Sequence, residues 1–322
     1  MCYFRPGKPA VWIWMRSPTA SFGRENRDAR YYTMQRIVTL PPFPARPVEG
    51  HKGLFGRVLV VGGSESMIGA PVLAGTAALK MGAGLVQIAT PKSILAAAIS
   101  VTPELIGLPL GAGSASLAAL VQAADAADAI VIGPGMGQSR HANTRLLRLI
   151  RLEKPMLLDA DALNLLAGRR RWPASFKAPA VLTPHPGEMK RLGRLLGRSQ
   201  VPRDDDGRIE IATLAATTFG QIVVLKGHRT VVTDGQRVYL NRTGDSSLSK
   251  AGSGDVLSGI IATLLAQQMD RFSAACAGVW IHGTAGELAG KRLGRRSVLA
   301  RDVIAALPEA IAAYEAFAGL TS

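Results

Sequence analysis

The chain has 322 residues, 48% of them hydrophobic and 19% charged, a balance that fits one large globular domain or two smaller ones. No apolar run reaches the roughly 18 to 20 residues that span a bilayer. Two cysteines, Cys2 and Cys276, exclude a disulfide framework or a cysteine metal site and fit a reducing, cytoplasmic setting. The net charge of +15 comes from scattered clusters such as Arg169-Arg170-Arg171 and Arg295-Arg296, and with 5% aromatic residues no basic–aromatic platform for nucleic acid forms. The charge reads as general basicity with a preference for small anionic ligands.

Residues 1–47 differ from the rest. They hold Trp12, Trp14, Tyr31, Tyr32, several arginines and the proline-rich run from Pro41 to Pro47. The apolar patch Ala10–Met15 is too short for a signal-peptide core, and the arginine-rich leader also resembles a transit peptide. The reading we prefer starts translation at Met34, with residues 1–47 a disordered or spurious extension and linker, and the domain spanning 48–322.

Beyond the linker the pattern is regular. Arg57–Val61 is an apolar strand ending in Gly62-Gly63-Ser64, followed by a helix over Ala70–Met81 and a second strand over Leu85–Ala89. Ala129–Ile132 runs into Gly133-Pro134-Gly135-Met136-Gly137 and a helix through Ile150. Pro155–Leu158 runs into Asp159-Ala160-Asp161 and another helix, with Asp161 as its expected cap. Ala180–Leu182 runs into the turn Thr183-Pro184-His185-Pro186-Gly187-Glu188, and Gln221–Leu225 ends at Lys226-Gly227. Thr230–Thr233 and Arg237–Leu240, around Asp234-Gly235, read as a β-hairpin. Helical periodicity then closes the chain over Val256–Leu265, Ala274–Leu288 and Val303–Phe317. Continuous apolar strands alternating with helices argue for an α/β fold, a mostly parallel sheet covered on both faces.

Ligands in such sheets bind beyond the carboxyl ends of the strands, and every turn named above lies at one. There is no G-x-G-x-x-G with an acidic partner and no G-x-x-x-x-G-K-[ST], which disfavours a Rossmann dehydrogenase and a P-loop NTPase. Gly133–Gly137 is either a tight turn or a close approach of backbone to a ligand. His185 is rigidly presented between two prolines. Lys226 is either a phosphate or ribose contact or an ordinary solvated lysine, and Asp159 and Asp161 could form an acid–base or metal pair. The stretch Thr243–Ala266 is the most informative: Ala251-Gly252-Ser253-Gly254-Asp255 feeds a helix whose start directs backbone N–H groups at an anion, and Asp255 there is either a cap or a base.

Taken together, Gly56–Ser64, Gly69-Ala70-Pro71, Gly133–Gly137, Asp159–Asn164, Leu182–Glu188, Leu225-Lys226-Gly227 and Ala251–Leu257 closely resemble the ADP- or ATP-dependent NAD(P)H-hydrate dehydratases, over residues 50 to 315. The resemblance implies a ribokinase-like three-layer sandwich and repair of the (S)-hydrates NADHX and NADPHX. The hydrate hydroxyl is phosphorylated by ADP or ATP with Mg2+, and phosphate is then eliminated. It implies Asp255 as the base and Gly252, Ser253 and Gly254 as the anion hole. Lys226, Gly227, His228, Arg229, Thr230 and Gly254 would hold the nucleotide, and Ala70, Gly135, Gly137, His185 and Asp255 the hydrated dinucleotide. No residue is assigned as a metal ligand. A separate epimerase and a homo-oligomer are expected, and neither a nucleic acid nor a membrane partner. The family usually reads near T-G-N-P-G-M-A-T before the glycine loop, where this chain has Thr243–Lys250. That change places Lys250 beside the anion site and puts the loop's rigidity and nucleotide choice in question. The alternatives are a hydroxymethylpyrimidine- or hydroxyethylthiazole-type kinase, which shares the glycine–aspartate chemistry, and a non-catalytic nucleotide-binding protein.

Overall fold

The structure is a computed structural model and describes residues 34–198 and 200–319. The leader 1–33 lies outside the described residues. In chain order the elements are β1 (Gln35–Ile37), β2 (Arg57–Val61), α1 (Gly69–Lys80), β3 (Leu85–Pro91), α2 (Lys92–Val101), β4 (Ile106–Leu110), α3 (Ser114–Ala126), β5 (Ala129–Ile132), α4 (Arg140–Leu149), β6 (Met156–Leu158) and α5 (Ala160–Ala167). They continue with β7 (Ala180–Leu182), α6 (Pro186–Leu192), α7 (Asp205–Phe219), β8 (Ile222–Leu225), β9 (Val231–Thr233), β10 (Arg237–Leu240), α8 (Ser253–Ala266), α9 (Arg271–Leu293) and α10 (Ala300–Gly319).

The strands form a ten-stranded sheet in the order β1-β10-β9-β8-β7-β6-β5-β2-β3-β4. Only β9 runs antiparallel to its neighbours. Along β2, Val58 and Val60 face a core shared with α1, α8, α9 and α10, while Leu59 and Val61 face one shared with α3, α4, α5 and α7. Alternate residues of one strand thus feed two apolar cores, which is why its sequence is continuously hydrophobic. The expected three-layer α/β architecture is what the structure shows.

Strand order reverses between β2 and β5, the switch point at which a crevice opens in such sheets. The turns after β2 and β5 meet there: the Gly63 N–H donates to the Pro134 carbonyl at 2.8 Å. Helices α1 and α8 pack closely because Gly259 presents no side chain to the Ala74 carbonyl, which a Cβ would strike. The Thr263 hydroxyl donates to the Ala78 carbonyl at 3.1 Å, and these contacts fix the axis along which α8 points its first turn.

Two expectations about the chain's organisation change. The segment ahead of residue 48 is not all linker: Gln35–Ile37 pairs in parallel with Arg237–Tyr239. Phe43 stacks on Tyr314 with ring centroids 4.5 Å apart, and the Tyr314 hydroxyl donates to the Pro41 carbonyl at 2.6 Å. The proline-rich run is an extended strap whose carbonyls and rings the C-terminal helix uses. Second, α2, β4, α3, α6 and α7 join the elements read from the sequence. None of the helices among the described residues is long and apolar enough to cross a membrane.

Candidate active site

Helix α8 begins at a glycine for a backbone reason. Gly252 sits at φ +89° as the residue before the first turn, a conformation costly for any residue with a Cβ. Ser253, Gly254 and Asp255 follow as the first turn. The amides of Gly252, Gly254 and Asp255 have no acceptor among the described residues, whereas that of Ser253 leans on the Lys250 carbonyl at 3.3 Å. The expected anion hole thus offers the Ser253 amide least and adds that of Asp255. Ser253 contributes its side chain instead, its Oγ 3.1 Å from His282 Nε2. Burial lowers the His282 pKa to about 4, so the ring is neutral at physiological pH.

Behind this turn lies a buried ion pair. Lys226, the first residue after β8, places its Nζ 2.6 Å from Asp159 Oδ1, with side-chain exposures of 18% and 2%. It is not a solvated surface lysine. Burial works against its charge, but the carboxylates of Asp159, Glu188 and Asp255 outweigh that and raise its pKa. The other Asp159 oxygen accepts from the Ser258 hydroxyl at 2.9 Å, on the second turn of α8. Asp159, not Asp161, caps α5, accepting from the Ala160 N–H at 2.9 Å. Its backbone is still extended at the end of β6 (φ −133°, ψ 167°), as an N-cap requires. Asp161 lies inside the first turn and accepts instead from the Gly137 N–H at 2.9 Å.

His185 is the N-cap of α6. Its Nδ1 accepts from the Gly187 N–H at 2.9 Å while Glu188 accepts from the His185 N–H at 2.8 Å, a reciprocal capping box. Burial, then Lys226 and Arg191, lowers the imidazole pKa. Burial pushes the Glu188 carboxyl up to about 7, opposed by Lys226 and aided by Asp159. Burial first, then the charge on Asp159, lifts Asp255 to about 7, again opposed by Lys226. Two carboxyls held near neutrality around one buried ammonium is an arrangement suited to proton transfer.

These groups line a cavity of about 580 Å3 at the carboxyl ends of β6, β7 and β8. Of the residues assigned from the sequence, His185, Lys226, Gly227, His228, Thr230, Gly252, Ser253, Gly254 and Asp255 lie on its wall, while Arg229, Ala70, Gly135 and Gly137 do not. Arg229 turns outward to Asp205, 2.5 Å away. Ala70 and Gly135 adjoin one another, a Cβ built on Gly135 lying 3.1 Å from that of Ala70, at the β2/β5 switch point. The sequence reading missed Glu188, Ser258, His282 and Asn241 as site residues, and the Asp159–Lys226 pairing. Asp159 and Lys226, each directly after a strand, carried a signal, as did Glu188 in the turn that follows β7.

The altered loop before α8 is ordered by side chains. Asp245 accepts from the Ser247 N–H at 2.9 Å and pairs with Arg295 at 2.6 Å. The Gly244 N–H donates to Glu287 at 2.7 Å. Lys250 lies on the cavity wall, and its Nζ donates to the Arg296 carbonyl at 2.6 Å, which draws the ammonium towards the turn between α9 and α10.

Comparison with known proteins follows the same lines. The sequence profile of the NAD(P)H-hydrate dehydratase family matches residues 58–309. The bifunctional NAD(P)H-hydrate repair enzyme Nnr of Moorella thermoacetica is 43% identical over 274 residues, covering 82% of this chain and 51% of that protein. The ADP-dependent (S)-NAD(P)H-hydrate dehydratase of Neisseria meningitidis is 39% identical over 268 residues, 81% of this chain and 86% of that one. The chain spans about half the length of the bifunctional relatives it matches. Among solved structures, the ADP/ATP-dependent NAD(P)H-hydrate dehydratase of Bacillus subtilis, co-crystallised with ATP/Mg2+, superposes with a TM-score of 0.73 at 32% identity, over 85% of this chain and 95% of that one. With the profile covering most of the chain, this protein belongs to the NAD(P)H-hydrate dehydratase family.

Proposed function

We propose that the protein dehydrates (S)-NADHX and (S)-NADPHX to the reduced dinucleotides with ADP as the phosphoryl donor, a carbon–oxygen lyase reaction of metabolite repair. One observation carries the reading: Asp255, its carboxyl at about 7, stands in the same helical turn as two unpaired amides, Gly254 and its own, and shares a cavity with Lys226. Near neutral pH a sizeable share of Asp255 is ionised and can take the proton of the hydrate hydroxyl. The hydroxyl oxygen bonds to the terminal phosphorus as the bridge to the leaving nucleotide breaks. The unpaired amides and Lys226 stabilise the charge in flight. The carbon–oxygen bond then breaks, phosphate departs and the adjacent ring carbon gives up its proton, which restores the double bond.

The nucleotide belongs at Lys226–Thr230 and Gly254. The hydrated dinucleotide belongs towards His185 and the Ala70–Gly135 switch point, which lies on the same rim as Asp159. Mg2+ would enter as an ion carried in on phosphate. Among the described residues no cluster of three or more ligating side chains stands ready for a metal, so phosphate and water would supply most of its ligands, beside the Glu188 and Asp255 carboxylates on the cavity wall. Such an ion would neutralise phosphate charge during transfer. An epimerase activity is the functional partner expected for the other hydrate epimer, as the bifunctional naming of the relatives suggests.

The test is recovery of the near-ultraviolet absorbance of reduced nicotinamide from purified NADHX, with ADP or ATP and Mg2+. Wild type should restore it only with nucleotide, and Asp255→Ala should not. Phosphorylation of a small alcohol with no recovery would instead favour a hydroxymethylpyrimidine- or hydroxyethylthiazole-type kinase.

A further inference from the structure

Arg208 lies on α7, behind the loop that joins β8 to β9 and outside the cavity wall. It is 6% exposed, and its guanidinium gathers the carbonyls of one short loop. Nη2 donates to Leu225 at 3.1 Å and Lys226 at 3.4 Å, and Nη1 donates to His228 and to Arg229 at 3.1 Å. Within a trans peptide the N–H points away from the C=O, and no cis peptide occurs among the described residues. Drawing the carbonyls of Lys226, His228 and Arg229 towards Arg208 therefore turns the amides of Gly227, Arg229 and Thr230 to the other side. Those three amides have no acceptor among the described residues, and Gly227 and Thr230 lie on the cavity wall. The loop bends through φ +142° at Gly227 and +53° at Arg229, an unusual value for arginine, and Asp205, also on α7, ties down the Arg229 side chain.

We propose that Arg208 is a positioning residue that holds this loop as a receptor of outward-facing amides for the phosphates of the nucleotide. It acts from the side away from the ligand. The proposal rests on the reading of Lys226–Thr230 as the nucleotide loop and adds what shapes it. Successive unpaired amides make an anion-binding concavity, and a planar fork of donors is the side chain that can hold several carbonyls at once.

The experiment measures ADP and AMP affinity by calorimetry, and KM for NADHX, in the full chain carrying Arg208→Gln or Arg208→Lys. In Arg208→Gln the dissociation constants for ADP and AMP should rise by about tenfold or more, with KM for NADHX within about twofold at saturating nucleotide. Lysine, a point donor that reaches only some of the carbonyls, should recover part of the affinity. Wild-type nucleotide affinity in a folded Arg208→Gln, or in Arg208→Lys if the glutamine variant does not fold, overturns the proposal. So does a KM for NADHX that rises in step with the nucleotide constants. Failure of the wild type to bind ADP would instead count against the nucleotide reading itself.

Discussion

Asp255→Asn should make the protein more stable at alkaline pH while abolishing turnover. In the fold, the Asp255 carboxyl rises from an ordinary 3.8 to about 7, first through burial and then through the charge on Asp159. At about 1.4 kcal/mol per tenfold change in proton affinity, that corresponds to a ceiling of about 4 kcal/mol against the ionised form. Water in the open cavity lowers the figure, so about 2 kcal/mol is the expected gain from a neutral amide, or about 3 °C in Tm for a chain of this length. The sign follows from linkage. An acid whose folded pKa is raised keeps its full stability contribution below the unfolded value and loses it as pH rises through the folded one. The penalty on wild type therefore grows from about pH 4 to about pH 7.

The assay is denaturant or thermal unfolding of wild type and Asp255→Asn, without nucleotide, at about pH 5 and about pH 8. The variant should lead clearly at the higher pH and the gap should narrow at the lower. A gap independent of pH, or a variant less stable than wild type at about pH 8, would refute the claim that a buried, charge-crowded carboxylate is maintained here at a cost in stability.

Asp159→Asn removes a charge that raises the Asp255 pKa, so the acid limb of the kcat/KM profile should move to lower pH, alongside a stability loss of about 3 kcal/mol from the uncompensated Lys226. An acid limb that stays in place would detach Asp159 from the base. Gly254→Ala puts a methyl 3.3 Å from Lys226 Nζ and 3.6 Å from Asp159 Oδ2, across the space that a transferring phosphoryl group needs. Rates should fall about a hundredfold with little change in Tm, and a rate within a few-fold of wild type would remove Gly254 from the anion site. Lys250→Ala should leave the nucleotide KM within about twofold, since the Arg296 carbonyl holds the ammonium to one side and exposed charges contribute little. A tenfold rise would return Lys250 to the anion site.

What the sequence discloses is what local chemistry decides. β5, β6, β7 and β8 are continuous apolar runs ended by Gly, Asp, Thr-Pro or Lys, so both the strands and the rim where their ends converge could be read directly. β4 could not: Ile106-Gly107-Leu108-Pro109-Leu110 carries the glycine and proline of a loop, and it is tolerated as a strand because it is the sheet's outer edge. β1 failed for a different cause. Three residues beside a proline-rich run carry no periodicity, and their partner, Arg237–Tyr239, is remote in sequence. The same remoteness hid the chemistry. Asp159 and Lys226 each stand visibly at a strand end, but their pairing across 67 positions depends on β6, β7 and β8 being adjacent. His282 lies in the small-residue run of α9, where nothing local separates it from packing.

The loop before α8 departs from the usual family pattern yet is still tied down. The usual Asn-Pro-Gly would stiffen that turn through the backbone, by fixing φ at proline and permitting a left-handed glycine. Asp245-Ser246-Ser247 has neither device. The restraint comes instead from side chains: Asp245 holds the Ser247 amide and Arg295 at once, and Glu287 holds the Gly244 amide. Two of those partners belong to the α9 region, which also supplies His282 behind Ser253. In this chain the proposed anion site therefore leans on the loop's contact with α9. Stiffness held by an exposed ion pair weakens with salt where stiffness held by proline would not. Raising ionic strength should thus loosen this loop, and nucleotide affinity should fall more steeply in wild type than in an Asp245→Asn, Arg295→Gln double variant that has already lost the pair. Parallel salt dependence in the two proteins would mean that the ion pair sets no part of the loop's geometry.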